Sequence, residues 1–308
     1  MDLVIYILSI WAVVGGANYI IINSELISIR FNFPNFLIGG FLIAFGSSLP
    51  EIINSLMANL HNRPIVAVSN LIGSNIFSLS VTLPLVVLIS KRGILNSRVF
   101  IKDISWLFLV TSIFFITILD MEVDLAESIF LIFTLFIYII SILDSSMPLF
   151  EEELSIDSRF NLFNSIFLIL IGLILLIIGS YFAIESAISI ANSFKLSDWV
   201  VGLLLIAIST SLPKLAIVIS IVLKNRPKVA VTNIFYSAIS NLTLGVGFSG
   251  VVKDISILEG NIFDILTLPL LVILLLVIIS NRVYTKSLSF IFLGLYTLFI
   301  FRYLNPYS

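Results

Sequence analysis

The sequence predicts an all-α polytopic membrane protein of ten transmembrane helices, arranged as two inverted five-helix repeats. Three observations lead there. The 308-residue chain is 59% hydrophobic and only 11% charged, with a mean hydropathy of +1.19, which is the composition of a bilayer protein. Apolar runs of about 20 residues follow one another down the chain, each long enough to cross roughly 30 Å of hydrocarbon as a helix, and the short alternating segments of a membrane barrel are not seen. The third observation is an internal repeat. A shift of 163 positions brings Gly39 onto Gly202, Ala44 onto Ala207, Ser48 onto Ser211, Pro50 onto Pro213 and Asn62-Arg63-Pro64 onto Asn225-Arg226-Pro227. The register runs on through Ala67 and Ala230, Asn70 and Asn233, Ser74 and Ser237.

Ten spans are expected, near 3–22, 36–60, 65–89, 103–119, 126–143, 164–191, 199–223, 228–252, 263–280 and 287–301. The first lacks a basic leader and is longer than the apolar core of a signal peptide, so it reads as a retained helix. The second and seventh carry the repeated polar boxes, and the third and eighth carry asparagine and serine at helical spacing. The phenylalanine-rich spans read as lipid-facing and packing material. Five spans lie on each side of one polar connector, so the expected units are 1–143, a short acidic loop 144–163 with Glu151-Glu152-Glu153, and 164–308. An odd number of spans per copy makes the second copy enter the membrane from the opposite side.

Eleven Lys and Arg fall between spans on one side, among them Arg30, Lys91, Arg159 and Lys286, against Arg63, Lys195, Lys253 and Arg302 on the other. The positive-inside rule then puts both termini outside and the central loop in the cytoplasm of a multi-pass cell-membrane protein.

Composition also excludes. There is no cysteine and one histidine, His61, so thiolate metal sites, disulfides and paired-histidine haem ligation are ruled out or nearly so, and any ion bound here meets oxygen. No phosphate-cradling glycine loop with its lysine is present, so no nucleotide-driven motor is indicated. No cofactor and no nucleic-acid partner are expected, only the lipid bilayer and inorganic cations. Inverted repeats with proline-interrupted polar helices near the midplane are the architecture of secondary transporters.

The first box is Gly46-Ser47-Ser48-Leu49-Pro50-Glu51 and the second Ser209-Thr210-Ser211-Leu212-Pro213-Lys214. Pro50 offers no amide hydrogen to the carbonyl of Gly46, so the helix is expected to be strained or unwound there, with that oxygen free. Ser47, Ser48 and Glu51 add further oxygens at membrane depth, the kind that hard cations such as sodium and calcium choose. Asn70, Ser74 and Ser78, four apart, share one face of the third helix. The second copy repeats the pattern with Thr210, Ser211, Asn233, Ser237 and Asn241. Serine and asparagine also serve ordinary helix packing in membranes, each bond worth about 0.6–2 kcal/mol. Glu51 and Lys214 differ, because an isolated charge at the bilayer centre costs at least about 2.5–3.5 kcal/mol, so each needs a partner.

With these boxes the chain resembles the cation/calcium antiporters, and within them the compact ten-helix archaeal sodium/calcium exchangers, whose repeats read roughly Gly-Thr-Ser-Leu-Pro-Glu and Gly-Asn-x-x-Gly-Ser-Asn. The first copy, with Ser69-Asn70-Leu71-Ile72-Gly73-Ser74-Asn75, fits apart from serine at 47 and 69. The resemblance implies a secondary active antiporter, not an enzyme, working by alternating access at a midplane site between the repeats. It implies ion ligands at the carbonyls of Ala44 and Ala207, at Ser47, Ser48, Thr210 and Ser211, at Glu51, and at Ser74 and Ser237. Glu51, Ser48 and Ser211 are the expected metal contacts. The departures fall at Lys214, where the family has its second glutamate, at Asn241, an acidic position in the eighth helix, at Ser78, often asparagine, and at Thr232 and Tyr236, which replace glycines.

The family pattern offers up to three negative charges, whereas one carboxylate and one ammonium sum to zero here, so calcium binding is expected to weaken. Three readings follow. Lys214 stands in for one bound cation, and a monovalent cation at Glu51 exchanges against a proton, since a desolvated lysine can release one. Alternatively, calcium is still exchanged for sodium or protons, with Lys214 turned away. In the third, the protein is a structural or regulatory membrane protein locked by a Glu51–Lys214 pair and transports nothing. Glu25, Glu185 and His61 read as helix-end or interfacial groups, the two carboxylates with an ion entry path as their functional alternative.

Overall fold

The computed structural model describes residues 1–31, 43–90, 99–143, 161–194, 196–223, 227–257 and 261–304. Ten helical rods are found among them: Asp2–Arg30, Ile43–Leu60, Pro64–Ile89, Val99–Thr117, Leu125–Leu143, Leu162–Ser193, Asp198–Leu223, Pro227–Val252, Ile262–Ser280 and Lys286–Leu304. They are called here the first to the tenth helix. The first runs eight residues beyond the expected Ile22. Asn23 breaks the apolar run without breaking the helix, because its amide donates back to the Tyr19 carbonyl at 2.8 Å. The acidic connector at 144–160 lies outside the described residues.

The Asn-Arg-Pro signature is a stop followed by a start. Asn62 takes a left-handed φ of 60°, which asparagine tolerates better than most residues. The Asn62 amide donates to Asn59 O at 3.0 Å and that of Arg63 to Ala58 O at 2.8 Å, closing the end of the second helix. Pro64 then opens the third helix, where its missing N–H costs nothing. Arg63 also pairs with Asp198 of the seventh helix at 2.9 Å. Asn225 and Arg226 lie outside the described residues; Pro227 opens the eighth helix as Pro64 opens the third.

Two close crossings set the packing. The first and sixth helices lie against each other through glycine: a Cβ on Gly16 would come within 2.6 Å of Gly172 O, and one on Gly172 within 2.7 Å of Gly16 O. The third helix crosses the seventh through Gly73, whose added Cβ would sit 2.2 Å from Leu203 O, and Gly202, whose Cβ would sit 2.7 Å from Val66 O. The eighth helix has Tyr236 in place of Gly73, and that ring turns to meet Tyr138 of the fifth helix edge-on, 5.4 Å between centroids. A glycine lost from one copy is thus exchanged for an aromatic contact in the other. Exposed phenylalanines such as Phe130, Phe133 and Phe136 lie on the outer surface, while the third and eighth helices are the most enclosed.

The expected unwinding at the prolines is not found. Pro50 and Pro213 both lie inside continuous α-helix among the described residues. The irregular backbone is elsewhere, in π-helical turns at Ser78–Thr82, Asn241–Gly245 and Val201–Ile206. The first two are related by the same 163-residue shift. A proline costs a helix one hydrogen bond and a clash that a gentle bend relieves, whereas a π turn inserts a whole residue and re-aims the side chains beyond it.

Candidate ion-binding site

The second helix brings Glu51, and the seventh Lys214, to one point between the repeats, where both side chains are at most 1% exposed. Lys214 Nζ lies 2.8 Å from Glu51 Oε1 and donates to Ser237 Oγ of the eighth helix at 2.7 Å. Ser237 Oγ is 2.6 Å from Ser48 Oγ, and Ser211 Oγ donates to Glu51 Oε1 at 3.4 Å. Ser48, Ser237, Lys214, Glu51 and Ser211 therefore form one continuous polar chain from three helices and both repeats. The lysine is turned toward the carboxylate, so the expectation that it turns away is not met. Two opposed unit charges about 4 Å apart attract by roughly 4 kcal/mol at an effective dielectric near 20, and the shorter contact here is stronger still.

Around this chain the remaining expected positions divide. Ser47 Oγ reaches Asn233 Oδ1 at 3.5 Å. Thr210 turns back on its own helix, donating to the carbonyls of Ile206 at 3.0 Å and Ala207 at 3.3 Å, so the Ala207 oxygen already has one partner. Ala44 lies in the first described turn of the second helix. Asn241, at the start of its π turn, donates to Asn75 Oδ1 at 2.9 Å. Ser48, expected as a metal contact, is bonded to Ser237, which the lysine also bonds.

Ser74 and Ser78 are fully buried, and their hydroxyls have no hydrogen-bond partner. Ser74 is the mate of Ser237 under the 163-residue shift, but unlike Ser237 it is not bonded to the charged residue of its box. Glu51 Oε2, Asn70 Oδ1 and both amide atoms of Asn54 are also buried without a partner. Each such group costs about 1–3 kcal/mol of desolvation unless something satisfies it. On the second-repeat side Thr232 Oγ1, Asn233 Nδ2 and Asn241 Oδ1 are unpartnered too, and the Lys214 ammonium bonds Ser237 and Glu51. The halves differ chiefly in charge: a carboxylate with one unpartnered oxygen in the first, an ammonium with two partners in the second.

Several residues at the site escape a reading by family position. Asn70 Nδ2 donates to Glu51 O at 3.0 Å and Ser55 Oγ at 2.8 Å, fixing the second helix on the third. Asn75 Nδ2 donates to Ala238 O at 3.0 Å, and Ala238 is its own mate under the 163-residue shift, so the pseudo-axis passes through this bond. The signal for Asn54 is a buried amide whose repeat mate is Ile217. Two further acids sit one turn into the fourth and ninth helices. Asp103 is buried, and Asp264 accepts from Trp199 Nε1 at 2.8 Å and from Arg302 at 3.2 Å. His61, past the end of the second helix, packs edge-on against Tyr181, ring centroids 4.8 Å apart. Glu185 is exposed on the sixth helix, and the Glu25 side chain lies outside the described residues.

A family model described as "Sodium/calcium exchanger protein" matches residues 1–143 and 164–304. The chain is similar to inner membrane protein YrbG of Escherichia coli K12, 29% identical over 255 residues, with 80% of this chain and 78% of the relative covered. It is 23% identical over 325 residues to the sodium/calcium exchanger MaX1 of Methanosarcina acetivorans, with 91% and 92% covered. Among solved structures it is similar to the sodium-calcium exchanger NCX_Mj soaked with 10 mM sodium and no calcium, at a TM-score of 0.67, 25% identity and 97% coverage of both chains.

Proposed function

Because this chain belongs to the sodium/calcium exchanger family, it is a membrane-embedded cation antiporter and not an enzyme, and we propose that it exchanges a monovalent cation against a proton at the Glu51–Lys214 pair. The observation that carries this reading is the 2.8 Å contact of Lys214 Nζ with Glu51 Oε1, with Ser237 as the ammonium's second partner. In one state the carboxylate is neutralised by the ammonium. An arriving cation takes a place beside Glu51, Lys214 releases one proton and becomes a neutral amine, and the site again sums to zero. When the proton returns to the amine, the cation leaves. Ser47, Ser48, Thr210, Ser211, Ser74, Ser78, Ser237, Asn241 and the carbonyls of Ala44 and Ala207 supply neutral oxygens that replace water around the ion.

Alternating access then moves residues 1–143 against 164–308, with both termini outside and the 144–163 connector in the cytoplasm. A divalent ion is disfavoured in this scheme, since one carboxylate leaves a net positive site and the ammonium stands where a second carboxylate would help.

The test is flux into proteoliposomes. A pH gradient should drive sodium uptake by the native protein, and Lys214→Met should abolish the pH dependence; unchanged flux in that variant overturns the proposal. Calcium uptake under an outward sodium or proton gradient, abolished in Glu51→Gln, would move the assignment to calcium. A folded sample that moves no cation under either gradient would leave a scaffold locked by the ion pair.

A further inference from the structure

Asn54 is a buried polar group to which the exchange gives no part. It sits one turn after Glu51 on the second helix, 1% exposed, and neither its amide oxygen nor its amide nitrogen has a hydrogen-bond partner among the described residues. Residues three apart on a helix are neighbours, with Cβ atoms about 5–6 Å apart, so the side chain lies beside that of Glu51. Glu51 Oε2 is likewise without a partner, whereas Oε1 is held by Lys214 and Ser211. The free oxygens of the carboxylate and the amide thus belong to adjacent turns of the same helix. Packing gives no reason for an amide here: the matching position of the second repeat is Ile217, and the next residue, Ser55, already supplies the hydroxyl that Asn70 binds. Polar groups left unpaired at membrane depth mark the position of something polar that visits.

We propose that Asn54 Oδ1 and Glu51 Oε2 together ligate the transported cation, and that Asn54 sets its class as a small hard monovalent ion, sodium foremost. The inference rests on the exchange reading given above. Its chemistry follows from charge and softness. One carboxylate oxygen and one amide oxygen give a pair of hard ligands with a single negative charge, which suits a monovalent ion while the neighbouring ammonium or its neutral amine occupies the other half. The contact is made on the side of the carboxylate away from the lysine, so a cation can begin to bind before the ammonium lets go. Asn54 would therefore act on affinity and selectivity and leave the proton step to Lys214.

The test measures sodium dependence of pH-driven flux, and of thermal stability in detergent, for the native protein, Asn54→Leu and Asn54→Asp. Leucine keeps the shape and removes both polar atoms. It should raise the sodium concentration for half-maximal flux about tenfold, the scale on which metal sites respond to losing a supporting oxygen, while the rate at saturating sodium stays within about two-fold. Aspartate restores the oxygen and adds a charge; it should recover sodium affinity and admit calcium as a competitor. The same half-maximal sodium concentration in Asn54→Leu as in the native protein overturns the inference and leaves the exchange reading intact. A native protein whose flux and melting are both indifferent to sodium overturns the two together.

Discussion

The two boxes occupy matching turns of matching helices, each six residues long, each carrying its proline in the same place, and they end on opposite charges. Part of the frame that holds the boxes is duplicated: the proline-opened third and eighth helices and the paired π turns at Ser78 and Asn241. What differs is what the duplicated frame presents. Among the described residues, Glu51 keeps one oxygen without a partner and Ser74 a free hydroxyl, whereas the Ser237 hydroxyl, the mate of that of Ser74, is taken by Lys214 and Ser48. Position in an inverted repeat is set by helix crossings, and the chemistry at that position is set by a few side chains that can change without moving the helices. In the exchange proposed here, Lys214 is a covalently attached cation standing where the other box has its carboxylate.

The sharpest way to break this comparison is to remove the attached cation. Lys214→Ala leaves Glu51 buried and unpaired, and should cost about 3–5 kcal/mol of stability, read as a large drop in the melting temperature in detergent. The double variant Glu51→Gln/Lys214→Met removes both charges and should melt within a few degrees of the native protein or above it, because a buried pair exchanged for neutral groups of similar size is close to neutral in stability. A double variant as unstable as Lys214→Ala would show that the ammonium is held by something other than the carboxylate.

The crossing of the third helix on the seventh tests the frame rather than the charges. Gly73→Ala puts a methyl group 2.2 Å from a backbone carbonyl that cannot rotate away. Overpacking of that kind should cost about 1–3 kcal/mol, visible as a lower melting temperature. The mate of Gly73 is Tyr236, so Tyr236→Gly in the other copy removes a ring contact with Tyr138 and leaves a void, also destabilising but by a different route. A tolerated Gly73→Ala would mean that the third and seventh helices do not sit this close.

The helices, their number and the pairing of the two copies were legible in the chain because each rests on a long signal: hydropathy over about 20 residues, or identity sustained along a 163-residue register. Glu51 and Lys214 were legible as partners because a lone charge at membrane depth is costly and each was the other's mate under the shift. The π turns were not. Ser78–Thr82 and Asn241–Gly245 carry no glycine or proline at their start, and a one-residue insertion in a helix is decided by what packs around it. Proline signalled irregular backbone at Pro50 and Pro213, yet the helix is α at both, and the π turn of the seventh helix falls at Val201–Ile206 instead, since a gentle bend relieves a proline at less cost than unwinding a buried turn. Asn54 was hidden for another reason: its role depends on which neighbours are already bonded, and no spacing in the sequence reports that.

Asn75 sharpens the comparison at smaller scale. Its amide donates to Ala238 O and accepts from Asn241 Nδ2, and its own mate, being alanine, returns neither bond. Asn75→Ala makes the third helix match the eighth and should cost about 1–2 kcal/mol by leaving a buried carbonyl and a buried amide unpaired. The companion change, Asn241→Ala, removes only one of these bonds and should cost less. Equal losses would place the stabilisation in the Asn75–Asn241 bond alone.

The smallest expected effect is a null one, and it follows from the opposite charges of the two boxes. With the ammonium in place, Glu51 and Lys214 sum to zero; with a monovalent cation in place and the proton gone, carboxylate, ion and neutral amine again sum to zero. No net charge then moves when the site changes sides, so a potential of 100 mV, worth about 2.3 kcal/mol for each elementary charge carried across, has nothing to act on. Sodium flux driven by a pH gradient should be the same whether the proteoliposomes are clamped at zero or at a negative interior potential. Lys214→Glu gives both boxes the same charge, and there a divalent ion exchanged for two protons again sums to zero, so proton-driven flux of that ion should ignore the potential as well. Voltage dependence in the native protein would mean that the lysine keeps its proton while the cation crosses, and the two halves of the site would then be carrying charge together.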